Sequence, residues 1–280
     1  MSENNFPGPG VHPLRVQVGQ QNIAAYDSAG TGRPIVLVHG NSSSSRVWSK
    51  QLDGPLGKKY RLIAIDLPGH GDSGRAPNPE KDYSGPGYSA CIAAIARQLE
   101  LKNAVFVGWS LGGHAVLEAA SALPMAAGLM IFGTPPIGKG PDGFAGFKGL
   151  SNVAFTPDPG EAEVDGWFEH VFAPKFSPIP PFFKADFRRT DGAARGCLGA
   201  SAQQGLFPDE VAIVGTELKI PLAMVHGAEE QIVDLDYLRR LSAPTLWRQA
   251  VQVIDKSGHT PQWEQPEAFA KLLDEFASSV

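Results

Sequence analysis

The stretch AVFVGWSLGGHAVLEAA, residues 104–120, passes from an apolar run through a glycine-rich turn into an alanine- and leucine-rich segment. This order predicts a buried strand, a sharp turn and a helix at about Leu111–Ala122. The turn matches G-x-S-x-G with Ser110 at its centre, and this pattern between a strand and a helix is typical of an exposed serine nucleophile. Because G-x-S-x-G also arises as an ordinary turn with an incidental serine, the flanking elements carry the prediction. Glycine occupies positions 108 and 112, where we expect any side chain to collide across the turn.

Short apolar runs alternate with helical patterns along much of the chain, which predicts an α/β fold with a mostly parallel central sheet flanked by helices. We expect an antiparallel pair, residues 14–18 and 23–27, to open the sheet. The remaining predicted strands lie at residues 35–38, 62–65 and 104–107 and within AGLMIFGTPP, PLAMVHG and VQVIDKSGH. A C-terminal amphipathic helix, PEAFAKLLDEFASS, begins with proline, as helices often do.

One long stretch, residues 136–215, interrupts this alternation. It is rich in proline, glycine and phenylalanine and shows no clear buried-strand pattern. A structureless loop of this length is uncommon inside a compact domain. The sequence therefore predicts an inserted, mainly helical cap at residues 136–215, which separates the two parts of one core domain, residues 1–135 and 216–280.

The composition argues against several classes of protein. The 280-residue chain has a net charge of −5 and no basic cluster, which disfavours a nucleic-acid or membrane partner. Cys91 and Cys197 lie in no Cys/His cluster, so neither a disulfide framework nor a zinc site is expected. The N-terminal residues do not resemble a signal peptide, and no apolar run has the length of a membrane span. We expect a cytoplasmic enzyme without metal or cofactor; its oligomeric state is not indicated.

A serine nucleophile needs a neighbouring base at neutral pH. Among the seven histidines, His259 is the predicted base, because it follows the last predicted strand in a loop that leads to the C-terminal helix. His39 and His226 each precede a glycine at a strand end, which favours a role in loop geometry. His114 lies just inside the helix after Ser110, where a buried histidine with satisfied hydrogen bonds is the simpler interpretation.

The oxyanion of a tetrahedral intermediate needs hydrogen-bond donors. The backbone N–H of Leu111, directly after the nucleophile, is one predicted donor. The backbone N–H of Asn41, in the loop HGNSSSS after the strand at residues 35–38, is the other. Gly-Asn-Ser is also ordinary turn chemistry, so only the pairing with Ser110 favours this role. We expect Ser42–Ser45 to form a polar floor near the substrate.

The catalytic acid is sought in VHGAEEQIVD, where a predicted strand ends in a His-Gly turn. Adjacent side chains on an extended turn point in different directions, so only one of Glu229 and Glu230 is expected to face the site. Asp234 begins the stretch DLDYLRRL, as a helix N-cap residue would. Asp255 follows a strand directly and is expected to anchor the loop that carries His259. The spacing favours Glu230 as the acid that holds His259.

The motifs VHGNSSS, DLPGHGDS, GWSLGGH, VHGAEEQIV and SGHTPQWEQPEAF occur in the order and at the spacings of the α/β-hydrolase family, which the chain resembles over residues 14–277. Through HGNSSS, GKKYRLIAIDLPGHG, GTPP and RRTDGAAR it is also similar to the metal-independent N-acyl-homoserine lactonases. That resemblance implies a Ser–His–Glu triad, with Glu230 where most α/β-hydrolases carry aspartate. These lactonases place a cap tyrosine near the substrate; this chain has no tyrosine between Tyr88 and Tyr237, and Trp167 is the candidate replacement.

Aromatic residues are concentrated in the predicted cap. Ten of the fifteen phenylalanines lie there: Phe144, Phe147, Phe155, Phe168, Phe172, Phe176, Phe182, Phe183, Phe187 and Phe207. We expect most of them to form the core of the cap itself. An aromatic lid over a polar floor also suits a substrate with an apolar acyl tail and a carbonyl head. Trp109, Trp167, Phe144 and His39 are the predicted substrate contacts.

The motifs predict a serine hydrolase, and the resemblance implies that it opens the lactone ring of N-acyl-homoserine lactones, with a small-molecule ester or lactone as its partner. A general carboxylesterase that acts on acyclic esters with the same triad is the alternative. Haloalkane dehalogenases and epoxide hydrolases are disfavoured because they use an aspartate nucleophile. A cofactor-free haloperoxidase, a carbon–carbon hydrolase and a non-catalytic receptor of this fold are weaker alternatives. A metal-dependent lactonase would need a His-x-His-x-Asp-His run, which the sequence lacks.

Overall fold

The computed structural model describes residues 6–149 and 152–280, and a single sheet of eight strands organises them. The strands are β1 (His12–Val18), β2 (Gln21–Asp27), β3 (Gly32–Val38), β4 (Tyr60–Ile65), β5 (Ala104–Trp109), β6 (Ala126–Phe132), β7 (Leu222–Gly227) and β8 (Gln252–Ile254). Their order is β1-β2-β4-β3-β5-β6-β7-β8. Only β2 pairs antiparallel, with β1 and β4, so the predicted mostly parallel sheet with an antiparallel opening is confirmed. Residues 1–5 of the N-terminal stretch lie outside the described residues.

Helices cover both faces of the sheet. They are α1 (Ser49–Leu52), α2 (Pro55–Lys59), α3 (Pro79–Asp82), α4 (Gly85–Gln98), α5 (Leu111–Ala119), α6 (Glu161–Val171), α7 (Pro181–Arg189), α8 (Gly192–Gln203), α9 (Glu210–Ala212), α10 (Leu235–Arg240), α11 (Pro261–Glu264) and α12 (Pro266–Ser279). Helix α5 ends three residues earlier than the sequence predicts, because its last turn tightens into a 3₁₀ turn at Ala120–Ala122. Helix α12 begins with proline, as expected.

The side chains of the central strands alternate between two hydrophobic cores. In β3, Ile35 and Leu37 pack into one core, with α12, while Val36 and Val38 pack into the other, with α4 and α5. This alternation follows from the two-residue period of a strand. Because both faces are covered, the strands are apolar throughout, as parallel strands usually are. The carboxyl ends of β3 and β5–β8 consequently meet at one edge of the sheet, where polar side chains can come together.

Two glycines allow the turn between β5 and α5. A Cβ atom at Gly108 would meet the Gly112 carbonyl oxygen across the turn, which confirms the collision expected there. A Cβ atom at Gly112 would instead meet the carbonyl oxygens of Val38 and His39. The second glycine therefore lets α5 approach the end of β3, a packing requirement that the motif alone does not reveal.

The chain between β6 and β7 forms helices α6–α9 rather than further strands. This stretch contains residues 136–215, the range predicted to be a cap; residues 150 and 151 within it lie outside the described residues. A single π-helical turn at Ile213–Glu217 leads back towards β7. We call residues 136–215 the inserted segment. Within the described ranges, no helix combines the length and the apolar character needed to cross a membrane.

Helix α5 also carries a buried carboxyl group. Both side-chain oxygens of Glu118 are buried and, in the part of the chain that the structure describes, neither has a hydrogen-bond partner. Burial, reinforced by the charge of Glu210 and opposed in part by Lys139, raises the pKa of Glu118 from 4.5 to about 9. The side chain is therefore protonated in the folded protein at neutral pH, whereas in the unfolded chain it is ionised.

Gly108→Ala is expected to destabilise the fold, because the added methyl group meets backbone atoms that cannot move aside. Overpacking of this kind costs about 1–3 kcal/mol. Gly166→Ala in α6 is the matched control, since a Cβ atom there meets nothing within 4 Å. Alanine should be neutral or stabilise that helix by up to ~1 kcal/mol. Urea unfolding of both variants measures the difference; equal stabilities would contradict the packing argument.

Glu118→Gln is expected to stabilise the protein in a pH-dependent way. The pKa of Glu118 is raised on folding, so its contribution to stability is fully present below pH 4.5 and is lost as the pH rises towards about 9. Glutamine does not ionise and escapes this loss. The Tm of the variant should match that of the wild type near pH 4.5 and exceed it by a growing margin up to pH 9. Glu169→Gln, at an exposed site in α6, should show no such trend.

Candidate active site

Ser110 lies in the turn between β5 and α5, with a φ of 53° and a ψ of −120°. A positive φ costs a residue with a side chain about 1–3 kcal/mol, so the surroundings must hold it. The Ser110 N–H donates to the Phe132 carbonyl oxygen at 2.9 Å. The Ser110 carbonyl oxygen accepts from the Gly113 N–H and from Thr134 Oγ1, both at 2.9 Å. The backbone is thus fixed from β6 and α5, and Ser110 lines a cavity at the carboxyl edge of the sheet.

His259 and Glu230 form a buried pair beside that cavity. The distance from His259 Nδ1 to Glu230 Oε2 is 2.7 Å, and the two residues are 3% and 5% exposed. His259 lines the same cavity as Ser110, although the described residues include no hydrogen bond between the two side chains. Catalytic hydrogen bonds are often long in the absence of substrate and tighten when it binds. The structure therefore places Ser110 and His259 on one cavity and Glu230 against His259.

The Glu230 carboxylate is held in its ionised form. Burial by itself would raise its pKa, but the charge of His259, the hydrogen bond to His259 and the Ile232 N–H outweigh burial and lower the pKa below the ordinary value. The Ile232 N–H donates to Glu230 Oε1 at 2.7 Å, which leaves Oε2 for His259. A carboxylate fixed in this way keeps a proton on His259 Nδ1 and leaves Nε2 free to act as a base.

The neighbouring acids have other positions. Glu229 is exposed, and its backbone N–H donates to the Ser257 carbonyl oxygen at 2.8 Å. Asp234 accepts from the N–H groups of Asp236 and Tyr237 at the start of α10, so the expected N-cap is confirmed. These positions leave Glu230 as the acid next to the histidine.

The loop that carries His259 is anchored by Glu264, not by Asp255. Glu264 Oε2 accepts from the N–H groups of Gly258 and Thr260 at 2.9 and 3.2 Å and from Thr260 Oγ1 at 2.8 Å. Asp255, for which the sequence predicted this role, is exposed to solvent. A carboxylate in α11, just beyond the loop, can reach back to its N–H groups, whereas one on the solvent side cannot. The prediction for Asp255 is therefore wrong.

Two further contacts set the position of the His259 ring. Trp109 Nε1 donates to the His259 carbonyl oxygen at 2.8 Å, with the two rings 5.8 Å apart. The ring also packs against Gly133, where φ is 59° and a Cβ atom would overlap the imidazole. Gly133 is a residue that sequence reasoning missed; the signal was a glycine directly after β6, in the motif GTPP.

The two predicted oxyanion residues, Asn41 and Leu111, line the cavity beside Ser110. The side chain of Asn41 is engaged elsewhere: its Nδ2 donates to the Ala154 carbonyl oxygen of the inserted segment at 2.6 Å. Ser42 Oγ accepts from Arg195 Nη1 of α8 at 3.3 Å. Side chains of the loop after β3 are therefore tied to the inserted segment by hydrogen bonds.

Only part of the serine run faces the cavity. Ser42 and Ser43 line it, but Ser44 Oγ donates to Asp186 at 2.6 Å and the Ser45 N–H donates to Asp66 at 2.6 Å. The predicted floor of four serines is thus reduced to two.

His39 is not among the residues that line the cavity, so the structure does not place it in contact with a substrate there. It is fully buried; its Nδ1 lies 2.7 Å from the Gly40 carbonyl oxygen and its Nε2 accepts from the Leu67 N–H at 2.9 Å. Burial lowers the pKa of His39 to about 4. A histidine at the end of β3 is enclosed by the neighbouring strand end, which explains why it fixes loop geometry instead.

The cavity is lined mostly by aromatic side chains. The predicted contacts Trp109, Trp167 and Phe144 all line it. Seven of the ten phenylalanines of the inserted segment do so: Phe144, Phe147, Phe155, Phe168, Phe183, Phe187 and Phe207. The expectation that most of them only form a core is wrong, because a thin layer of helices lets one aromatic ring contribute both to packing and to the cavity wall. Across residues 6–149 and 152–280, no group of three or more His, Cys, Asp or Glu side chains is arranged to hold a metal ion.

Solved structures of the N-acyl homoserine lactonase AidH are similar to this chain. A mutant of AidH in complex with N-hexanoyl homoserine has a TM-score of 0.89 and 34% sequence identity, and the match covers 95% of this chain and 96% of that chain. AidH in complex with N-butanoyl homoserine has the same TM-score and 35% identity.

Characterised relatives with other activities share less sequence. The esterase Rv0045c of Mycobacterium tuberculosis is 25% identical over 290 residues, which cover 96% of this chain and 89% of the esterase. The non-heme chloroperoxidase of Streptomyces lividans is 26% identical over 217 residues, which cover 72% of this chain and 76% of the peroxidase. A model of the alpha/beta hydrolase family matches residues 35–272. With most of its length matched by that model, the chain belongs to the alpha/beta hydrolase family.

Proposed function

We propose that the protein is a serine hydrolase that opens the lactone ring of N-acyl-homoserine lactones through Ser110, His259 and Glu230. The observation that carries the proposal is the 2.7 Å His259–Glu230 pair, whose histidine lines the same aromatic-walled cavity as Ser110. The likeness to AidH, an N-acyl homoserine lactonase, supports a lactone as the substrate. An apolar wall with a few convergent polar groups suits a small molecule that has an acyl tail and a carbonyl head.

The inserted segment, residues 136–215, is proposed to act as the cap over this site. Trp167 and Phe144 belong to it and Trp109 precedes the nucleophile, and all three line the cavity. We assign them to contacts with the acyl tail. Phe144 is 38% exposed, which suits a residue at the cavity mouth. The substrate would enter past it, with the tail against the aromatic wall and the lactone ring next to Ser110.

In the first half of the reaction, His259 Nε2 takes the proton of Ser110, and the serine oxygen attacks the lactone carbonyl. The backbone N–H groups of Leu111 and Asn41 stabilise the oxyanion; each such donor contributes about 10²–10³-fold in rate. Glu230 stabilises the imidazolium that forms. His259 then gives its proton to the ring oxygen, and the ring opens to an acyl-enzyme.

The opened ring remains part of the acyl group, and this separates a lactone from a linear ester. The new hydroxyl stays close to the acyl carbonyl and can close the ring again at a high effective concentration. Productive turnover therefore needs that arm to swing away before water attacks. Ser42 and Ser43 line the cavity and supply polar groups for the displaced hydroxyl. Water activated by His259 then releases the N-acyl-homoserine.

The second candidate is a carboxylesterase for acyclic esters, which the relationship to the Mycobacterium tuberculosis esterase favours. The same nucleophile, base and acid would serve both reactions. The two differ in whether the site accommodates the tethered hydroxyl, so substrate preference decides between them.

Glu230→Gln is expected to reduce kcat for an aryl ester or a lactone by roughly 10³- to 10⁴-fold, because a neutral amide no longer fixes the proton on His259 Nδ1. Glu229→Gln is the matched control: it changes the adjacent, exposed residue, and its kcat should stay within about 2-fold of the wild type. Equal losses in the two variants would show that Glu230 is not the catalytic acid.

Lactone opening is tested by mass spectrometry, with N-acyl-homoserine lactones of increasing acyl length and p-nitrophenyl esters of the same lengths. We expect a higher kcat/KM for the lactones and a loss of more than about 10³-fold in Ser110→Ala for both classes. A strong preference for the linear esters would replace the lactonase proposal with the esterase. Full activity of Ser110→Ala would rule out both.

A further inference from the structure

A second buried histidine–carboxylate pair lies next to the nucleophile, and the reaction above does not use it. His114 Nδ1 is 2.8 Å from Glu210 Oε2 and 3.0 Å from Glu210 Oε1. His114 is 7% exposed and Glu210 is fully buried. One partner comes from α5 and the other from α9 of the inserted segment. The pair therefore joins the core of the protein to the proposed cap.

Glu210 is fixed in place by the backbone beyond β6. The Ile137 N–H donates to Glu210 Oε2 at 2.7 Å, and the Glu210 N–H donates to the Ile137 carbonyl oxygen at 2.8 Å. A carboxylate beside Nδ1 of a histidine holds the proton on that nitrogen and leaves Nε2 of the neutral ring as an acceptor. Among the described residues, His114 Nε2 has no hydrogen-bond partner.

His114 lines the cavity one helical turn beyond Ser110. Its backbone N–H donates to the Ser110 carbonyl oxygen at 3.2 Å, which places the two residues one turn apart at the start of α5. The ring centre of Phe147 is 6.2 Å from that of His114, and both Phe147 and Phe207 line the cavity. A free acceptor in such apolar surroundings is costly unless a ligand donates to it.

The other polar side chains of the cavity lie outside α5, and one of them, Ser43 Oγ, is likewise without a hydrogen-bond partner among the described residues. Besides Ser110 and His259 they come from the loop after β3. Asn41 Nδ2 donates to the Ala154 carbonyl oxygen, and Ser42 Oγ donates to Asn41 Oδ1 at 3.2 Å. Ser43 also belongs to that loop. His114 is thus the polar group that α5 contributes to the cavity wall.

We propose that His114 accepts a hydrogen bond from the amide N–H of the acyl-homoserine lactone and selects substrates that carry this group. The inference rests on the proposed function. The amide nitrogen is bonded to the ring carbon next to the lactone carbonyl, two bonds from the atom that Ser110 attacks, so it lies within reach of a side chain one helical turn away. Substrates without the N–H leave a buried acceptor unpaired and are disfavoured. Glu210 is a positioning residue that keeps Nε2 as an acceptor.

The test compares two lactones of equal chain length. N-hexanoyl homoserine lactone carries the amide, and α-heptyl-γ-butyrolactone has carbon atoms in its place. The wild type should prefer the amide lactone in kcat/KM by about 10-fold or more, the size expected of one buried hydrogen bond. No preference in the wild type would overturn the proposal, whatever the variants do.

The variants assign the preference to His114. His114→Phe keeps a planar ring without an acceptor and should lower kcat/KM by about 10- to 100-fold for the amide lactone but by less than about 3-fold for the alkyl lactone. His114→Gln retains a polar atom near the position of Nε2 and should recover part of the preference. Thermal unfolding of each variant checks its fold. An equal loss on both lactones in a folded variant would show a structural role and overturn the proposal.

Glu210→Gln tests the positioning role through the same ratio. Glutamine keeps an oxygen for the Ile137 N–H but loses the negative charge beside His114 Nδ1, so the tautomer in which Nε2 accepts is less strongly favoured. The preference for the amide lactone should fall while turnover of the alkyl lactone is kept. An unchanged ratio would remove Glu210 from the proposal.

An acyclic pair separates this inference from the proposed function. Methyl N-hexanoylglycinate carries the amide N–H and methyl nonanoate, of the same length, does not. If the wild type opens neither lactone but hydrolyses these esters, the lactonase proposal fails, and the ratio for the ester pair still tests His114. If lactones are opened but His114→Phe leaves the ratio unchanged, only the His114 inference fails.

Discussion

The backbone of Ser110 is the constraint on which the site depends. A φ of 53° is unfavourable for serine, and the surrounding chain maintains it with hydrogen bonds from β6 and from the first turn of α5. The same geometry requires glycine at positions 108 and 112, since any Cβ atom there would meet backbone. Sheet and helix packing are therefore not a passive scaffold. They supply the free energy that holds Ser110 at the strand ends, on the cavity that His259 also lines.

The parts predictable from sequence are those governed by local pattern and chain order. Parallel strands end at one edge of a sheet, so a serine after β5, an acid after β7 and a histidine after β8 must converge there. Glu230 stands where most α/β-hydrolases carry aspartate, and its side chain is one methylene longer. The structure accommodates it through the Ile232 N–H, which binds Oε1 and folds the side chain back over its own turn. Such a return contact depends on the loop conformation, which the residue order alone does not define.

Prediction failed where the outcome depended on which side of an element faces the cavity. His39 and His114 both lie within a few residues of catalytic motifs, yet His39 is enclosed by the end of β4 while His114 lines the cavity. Asp255 and Glu264 likewise flank one loop, and only the carboxylate on the helix side reaches the N–H groups. For the same reason, the sequence predicts a core role for most phenylalanines of the inserted segment, although seven of the ten line the cavity. Composition shows that aromatic rings are present, but the crossing of short helices decides where their faces point.

Asn41 and Arg195 tie the loop after β3 to the inserted segment. Because of these contacts, the inserted segment is not independent of the core domain. The Asn41 amide is satisfied by the Ala154 carbonyl oxygen, and the buried Arg195 guanidinium bridges three carbonyl oxygens and Ser42 Oγ. A chimera that exchanged the inserted segment for that of another hydrolase would leave these polar groups without hydrogen-bond partners. Each buried group left unpaired would destabilise the fold by about 1–3 kcal/mol. The cavity lining of the inserted segment is therefore coupled to the loop after β3, and a new pocket is reached more readily by changing single aromatic residues than by replacing the whole segment.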